Sequence, residues 1–222
     1  MKPVAQADVQ ELTKKVEAVS DKIKYMVVNE KTIRRYLRAF RGVDPAYQRI
    51  LETDAWRGKS DVASITAESP SIKRVDKTKI AVILNERDKK KRPVIYVAVR
   101  NHSIYNRDVN DMTQYIVYML EEACKKCIEE EMDNLCILFD MKNFSLSCMD
   151  YPMLKTLFEI MSDHYPERLG VCLILNAPFI FSTCWPIIRA WLDDNTASKI
   201  QFIKQINDLN SYIDPGVLPR DM

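Results

Sequence analysis

The chain is predicted to be an α/β protein with a small N-terminal helical lobe and a larger domain on a mostly parallel sheet. Three observations carry this. Up to about residue 58, apolar side chains recur every three or four positions, the spacing of a helix face. Beyond residue 71, short β runs alternate with stretches of helical periodicity, which implies right-handed β-α-β crossovers. With 222 residues, 47% apolar and 29% charged, the chain can also bury a sizeable core.

In the N-terminal part, Val9, Leu12, Val16, Val19, Ile23 and Met26 mark an amphipathic helix over Asp8–Tyr25. A second helix is expected over Lys31–Phe40, ending near Gly42. A third starts after Asp44-Pro45, with Asp44 as N-cap and Pro45 at the first helical position, and runs through Tyr47, Ile50, Leu51 and Trp56. Residues 59–71 are poor in large apolar groups and rich in Ser, Thr, Ala and Asp, so they read as a connector between a lobe at 1–58 and a domain at 72–222. In that domain Ile80–Leu84, Val94–Val99, Leu135–Phe139, Val171–Leu175 and Ile200–Ile203 are the expected strands. Helices are expected from Asp111 to about Glu130 and from Pro152 to about His164.

Composition excludes several chemistries. A formal charge of +2 provides no global field for nucleic acid, so none is expected as a partner. The four glycines are isolated, which removes phosphate-cradling loops. Two histidines, His102 and His164, in no ligand spacing, remove most zinc-hydrolase layouts. No nucleophile stands beside a base, so no enzyme is expected, and neither a metal nor a cofactor. The six cysteines, including the Cys124-Lys-Lys-Cys127 pair, read as reduced structural thiols of a cytoplasmic protein. There is no apolar run of signal-peptide or membrane-spanning length.

Two segments stand out. Asn85–Arg92 concentrates charge, with Arg87, Lys89, Lys90, Lys91 and Arg92 against Glu86 and Asp88; it reads as a solvated hairpin tip or a contact with an anionic membrane surface. Ala177–Leu192 is apolar on nearly every side of a helical wheel, through Phe179, Ile180, Phe181, Trp185, Ile187, Ile188, Trp191 and Leu192. Such a helix is either a central core helix or the wall or lid of an apolar cavity.

Three linked blocks, Tyr165-Pro-Glu-Arg-Leu-Gly170, Val171-Cys-Leu-Ile-Leu-Asn-Ala-Pro-Phe-Ile-Phe-Ser182 and Trp191-Leu-Asp-Asp-Asn-Thr-Ala-Ser-Lys-Ile200, resemble the signature of CRAL-TRIO lipid-binding domains. Their nearest likeness is to the phosphatidylinositol/phosphatidylcholine transfer proteins. Arg35-Tyr-Leu-Arg-Ala39 and Ala55-Trp-Arg57 resemble that family's helical N-terminal lobe, and Phe139-Asp-Met-Lys142 its central strand. The resemblance implies a sheet flooring an apolar cavity for one bound phospholipid, closed by a gate helix over Phe179–Asp193. Phe179, Phe181, Trp185, Ile188, Trp191 and Leu192 would form the gate and cavity wall.

For the head group the resemblance implies Lys199 for the phosphate charge, Thr196 for a hydrogen bond and Glu167 for inositol hydroxyls or for orienting Lys199. Ser145 and Ser147 match hydroxyl positions used for a phosphatidylcholine head group, although serines at a turn also serve as caps. Two departures stand against the family pattern: Phe40 replaces a cation, with Arg41 one place later, and the chain stops at Met222 where relatives continue. The implied protein is a cytoplasmic, monomeric carrier that touches membranes transiently, moving phosphatidylinositol between them or presenting it to a lipid-modifying enzyme. Carriage of another hydrophobic small molecule, or a non-transferring interaction or membrane-targeting module, remain the alternatives.

Overall fold

The structure, a computed structural model, describes residues 4–127 and 132–219. It divides into two compact units: the described residues up to Ile65 with Glu159–Glu167, and Thr66–Phe158 with the described residues from Arg168 onward. The boundary falls inside the expected connector, and the first unit also takes a segment from far along the chain. That second segment is tied in by Trp56, whose indole lies flat on the His164 ring at 3.9 Å and edge-on to Tyr165 at 6.3 Å.

The first unit holds α1 (Gln6–Glu17), α2 (Glu30–Phe40) and α3 (Val43–Lys59). Val9, Leu12 and Val16 pack with Ile33, Tyr36, Leu37, Ala46 and Ile50. α1 stops at Glu17, well before the expected Tyr25; further on, buried Asp54 takes the amides of Lys24 at 3.2 Å and Tyr25 at 2.6 Å, which holds those two residues out of a helix. The side chain of Asn29 accepts the Thr32 amide at 2.9 Å and caps α2. α3 begins ahead of the expected Asp44 cap, leaving Pro45 in the first turn, where its missing N–H goes unneeded.

The second unit contains α4 (Pro70–Asp76), β1 (Ala81–Arg87), β2 (Pro93–Ala98), α5 (Val109–Lys125), β3 (Leu135–Asp140), β4 (Leu169–Leu175), α7 (Phe181–Arg189), α8 (Asp194–Ser198) and β5 (Ile200–Ile203). α6 (Tyr151–His164) contributes its Tyr151–Phe158 part here. The expected end of α5 near Glu130 lies outside the described residues.

The five strands stand in sequential order; β1 is antiparallel to β2, and the β2–β3, β3–β4 and β4–β5 pairs are parallel. Sequential order makes every crossover step the same way, and the right-handed rule then gathers the crossover helices on one face. The sheet residues sort accordingly. Val94, Tyr96, Cys136, Leu138, Val171 and Leu173 are buried on one face, under Leu209 and Ile213 of the C-terminal segment. Ile95, Val97, Ile137, Phe139, Cys172, Ile174 and Ile200 point to the helix side.

The hairpin between β1 and β2 is not a solvated tip throughout. Asp88 and Arg92 are 3% and 6% exposed, joined Nε to Oδ2 at 2.5 Å, and the same carboxylate takes the Lys90 and Arg92 amides at 2.9 and 2.8 Å. Arg92 is thereby withdrawn from the surface, and Lys89, Lys90 and Lys91 remain exposed. A second buried polar knot sits at the end of β3, where Asp140 accepts from Tyr96 at 2.6 Å, Asn176 at 2.7 Å, Arg100 at 3.2 Å and the Lys142 amide at 3.0 Å.

Candidate functional site

The helix-side row of the sheet does not meet the helices in a closed core. A cavity of about 190 Å³ lies between them. Its floor is the register-matched row Ile95, Ile137, Cys172 and Ile200, with Val97, Phe139 and Ile174 in the next row. Its walls are Met112, Ile116, Met119 and Leu120 of α5, Met153, Leu154, Leu157 and Phe158 of α6, and Phe181, Trp185 and Ile188 of α7. The helical period of these residues turns one stripe of each helix inward.

The few polar groups on the wall are committed elsewhere or to one another. The Tyr115 hydroxyl donates toward Asp76 and the Ala81 carbonyl, both at 3.1 Å, and burial pushes its titration well up. Burial likewise raises the Cys172 thiol to about 12, so it stays protonated and unreactive. His102 and Asp150 complete the polar part, linked at 3.0 Å. Methionines supply much of the rest, and their flexible chains adapt to ligands of varied shape.

The gate segment is shorter than expected. α7 ends at Arg189, with Pro186 inside it, so no amide hydrogen is available there for the Ser182 carbonyl four residues back. Phe181 meets Phe144 edge-on at 5.8 Å, and Trp185 meets Phe202 edge-on at 5.0 Å. Of the six expected gate and wall residues, Phe181, Trp185 and Ile188 line the cavity. Phe179, Trp191 and Leu192 do not. Phe179 stands in the turn before α7, 91% exposed; Trp191 lies beyond the helix, 37% exposed and edge-on to Tyr151 at 5.8 Å; Leu192 is buried in the apolar cluster that also holds Cys172, Ile174, Phe181 and Ile188.

The expected head-group residues are distributed differently. Glu167 belongs to the first unit, in a turn with φ of 58°, whereas Thr196 and Lys199 belong to the second. The Thr196 hydroxyl donates to Asp193 Oδ2 at 2.6 Å and its amide to Oδ1 at 3.0 Å, which makes Thr196 part of the α8 cap. Burial pushes the Asp193 carboxyl up, but these bonds, the Asn195 amide and the Lys199 charge outweigh it, and it titrates low. Lys199 borders a polar hollow of about 320 Å³ with Lys89, Lys90, Ser198 and Gln201. The next residue, Ile200, is on the cavity floor. Ser145 and Ser147 bond to each other at 2.7 Å, and Ser145 caps no amide. Neither lines the cavity, although their neighbours Cys148 and Met149 do.

Sequence reasoning missed the His102, Arg107 and Asp150 group altogether; the nearest signal was that one of only two histidines falls directly after a strand. Among the described residues no cluster could hold a metal ion, and no helix is long and apolar enough to cross a membrane.

Comparison with known proteins agrees with the architecture. The CRAL/TRIO domain model matches residues 77–222. A CRAL-TRIO domain-containing protein of Schizosaccharomyces pombe, C3H8.02, is 32% identical over 189 residues, covering 82% of this chain and 42% of that protein. The phosphatidylinositol transfer protein CSR1 of Eremothecium gossypii is 36% identical over 135 residues, covering 61% of this chain and 31% of its own length. The SEC14 cytosolic factor of Yarrowia lipolytica is 30% identical over 188 residues, covering 78% and 38% respectively. The chain thus spans less than half the length of these relatives. The crystal structure of Sfh5 superposes on the whole chain and on 91% of its own with a TM-score of 0.80 at 17% identity, a likeness of fold. A singly wound sheet roofed by helices over an apolar cavity, the matched domain and these relatives lead to one conclusion: the chain belongs to the CRAL/TRIO domain family, in the branch with the phosphatidylinositol transfer proteins.

Proposed function

We propose that the chain carries one phospholipid, phosphatidylinositol above others, and moves it between membranes or presents it to a lipid-modifying enzyme. The observation that carries this reading is the cavity: a space between sheet and helices walled almost wholly by hydrocarbon takes acyl chains and excludes water. The polar hollow suits the other end of the molecule. Lys89, Lys90 and Lys199 around it offer positive charge to a phosphodiester, and Ser198 and Gln201 offer hydrogen bonds. Lys199 takes the phosphate in this reading, and Thr196 acts by fixing the short helix that ends at Lys199. Exposed Phe179, Ile180, Ile187 and Trp191, on and around α7, form the surface that meets the membrane. A nine-residue helix interrupted by Pro186 is suited to moving aside as lipid passes.

Native mass spectrometry of the protein purified from a eukaryotic host, followed by lipid extraction, tests this. Phosphatidylinositol at one per chain is the expected result. A different apolar molecule moves the assignment to another cargo, and an empty protein after incubation with liposomes overturns carriage in favour of an interaction module.

A further inference from the structure

β2, β3 and β4 are parallel neighbours and end on the same side of the sheet, and the loop after each carries a large apolar side chain into solvent. Tyr105 follows β2 and is 79% exposed, Leu146 follows β3 and is 56% exposed, and Phe179 follows β4. The roots of all three loops meet at one buried carboxylate. Asp140 accepts from Arg100 of the first loop, from the Lys142 amide of the second and from Asn176 of the third. A second buried carboxylate, Asp150, joins the first two loops nearer their tips: it accepts from the Arg107 Nε and Nη2 groups, the latter at 3.2 Å, and lies 3.0 Å from His102 Nε2. The Ile104 amide donates to the Ser147 carbonyl at 3.0 Å, and Phe144 of the second loop meets Phe181 edge-on. Loops tied to the sheet and to one another in this way cannot fold their apolar tips inward.

We propose that these loops form one rigid docking rim for a lipid bilayer, with Tyr105 and Leu146 entering the interface beside Phe179. The occupant follows from how the anchors are set. Exposed Asn106, Asn143 and Ser145 stand among them, so the rim lacks the continuous packed patch of roughly 800 Å² that a stable protein partner needs on each side. A bilayer closes around single side chains and requires no matching shape, and the Tyr105 ring suits the headgroup level. Charge agrees: Lys142 is exposed in the second loop, and the acid nearest Tyr105, Asp108, spends a carboxylate oxygen on the Asp111 amide as the cap of α5. This inference rests on the reading of the surface around α7 as the part that meets a membrane, and extends it to two loops that do not belong to α7. Those loops are fixed to the sheet, so the protein stays attached while α7 moves aside.

The test is flotation of the full chain with phosphatidylcholine vesicles that contain about one-fifth phosphatidylserine. Tyr105→Ser and Leu146→Ser are each expected to lower partitioning about fivefold or more. Tyr105→Trp and Leu146→Trp should keep it, and the emission of the added indole should shift to the blue and be quenched by brominated lipid. Unchanged partitioning of both serine variants, or added indoles that brominated lipid leaves unquenched on bound protein, overturns the proposal. So does a dimer of the parent in analytical ultracentrifugation that Leu146→Ser abolishes, because the rim would then belong to a second copy of the chain. Phe179→Ser and Trp191→Ser on the same vesicles separate the two readings. If these lower partitioning while the Tyr105 and Leu146 variants do not, only the rim falls; if the parent does not float with the vesicles, the membrane reading of the α7 surface falls with it.

Discussion

The Tyr96 hydroxyl reaches Asp140 at 2.6 Å from the neighbouring strand, on the face of the sheet that turns away from the cavity. Burial first, and then the carboxylate itself, push the phenol up to about 12. Burial also pushes the Asp140 carboxyl up, but bonds from Tyr96, Asn176, the Lys142 amide and Arg100 more than offset this and lower it. Tyr96→Phe is expected to cost about 1 kcal/mol, one net hydrogen bond. Asp140→Ala should cost about 3 kcal/mol or more, since it leaves Arg100 and Asn176 without their acceptor. Urea unfolding measures both, and lipid bound per folded molecule should not change.

Acid should weaken the first unit through His164. Burial lowers this imidazole, which lies flat on Trp56, from 6.5 to about 4. The folded state therefore favours the neutral ring, and between those values the unfolded chain binds more protons. The stabilisation is complete above pH 6.5, declines as pH falls toward about 4, and changes no further below. Urea midpoints from pH 7 to 4 should fall in the parent, and His164→Phe should remove the part of the slope in that window.

Occupying the cavity from the floor should block cargo without unfolding the chain. Ile174→Trp places its ring in open space, at a cost expected below about 1 kcal/mol, while native mass spectrometry shows a large loss of bound lipid. Leu173→Trp, one residue away and 0% exposed, points into the closed face and should cost about 3 kcal/mol or more.

Lys199 and Thr196 should separate in a vesicle transfer assay. Lys199→Ala is expected to lower phosphatidylinositol transfer about tenfold or more and leave an uncharged hydrophobic cargo unaffected. Thr196→Val should cost about 0.5–1 kcal/mol of stability through the α8 cap and reduce transfer only partly. Equal losses from both would mean that the Thr196 hydroxyl meets the head group directly.

All five strands stand where the apolar runs predict them, because a sheet covered on both faces gives short continuous apolar runs, and these are a local signal. The helices were legible in place and less so in length. α1 ends at Glu17, and further on the carboxylate of Asp54, from another helix, captures the amides of Lys24 and Tyr25, a meeting that no local pattern announces. The cavity-facing part of the gate was readable as an apolar stretch, yet Phe179 and Trp191 were indistinguishable in sequence from Phe181 and Trp185, since only the helix ends decide which rings turn inward. The His102, Arg107 and Asp150 group joins residues 43 and 48 positions apart through two strand-end loops, and loops carry no periodicity from which such a meeting could be read.

The sheet that separates a filled face from a hollow one also divides the freedom of the sequence to vary. At Tyr96, Leu138 or Leu173 a change of one methylene is felt by the whole interior, so a lineage must keep those volumes or lose the fold. At Ile95, Ile137 or Cys172 the same change alters only the outline of a space. Alternate residues of a single strand thus answer to different masters, one to stability and the next to cargo. A family built this way can exchange one lipid for another by drift along every second position, with its architecture standing throughout.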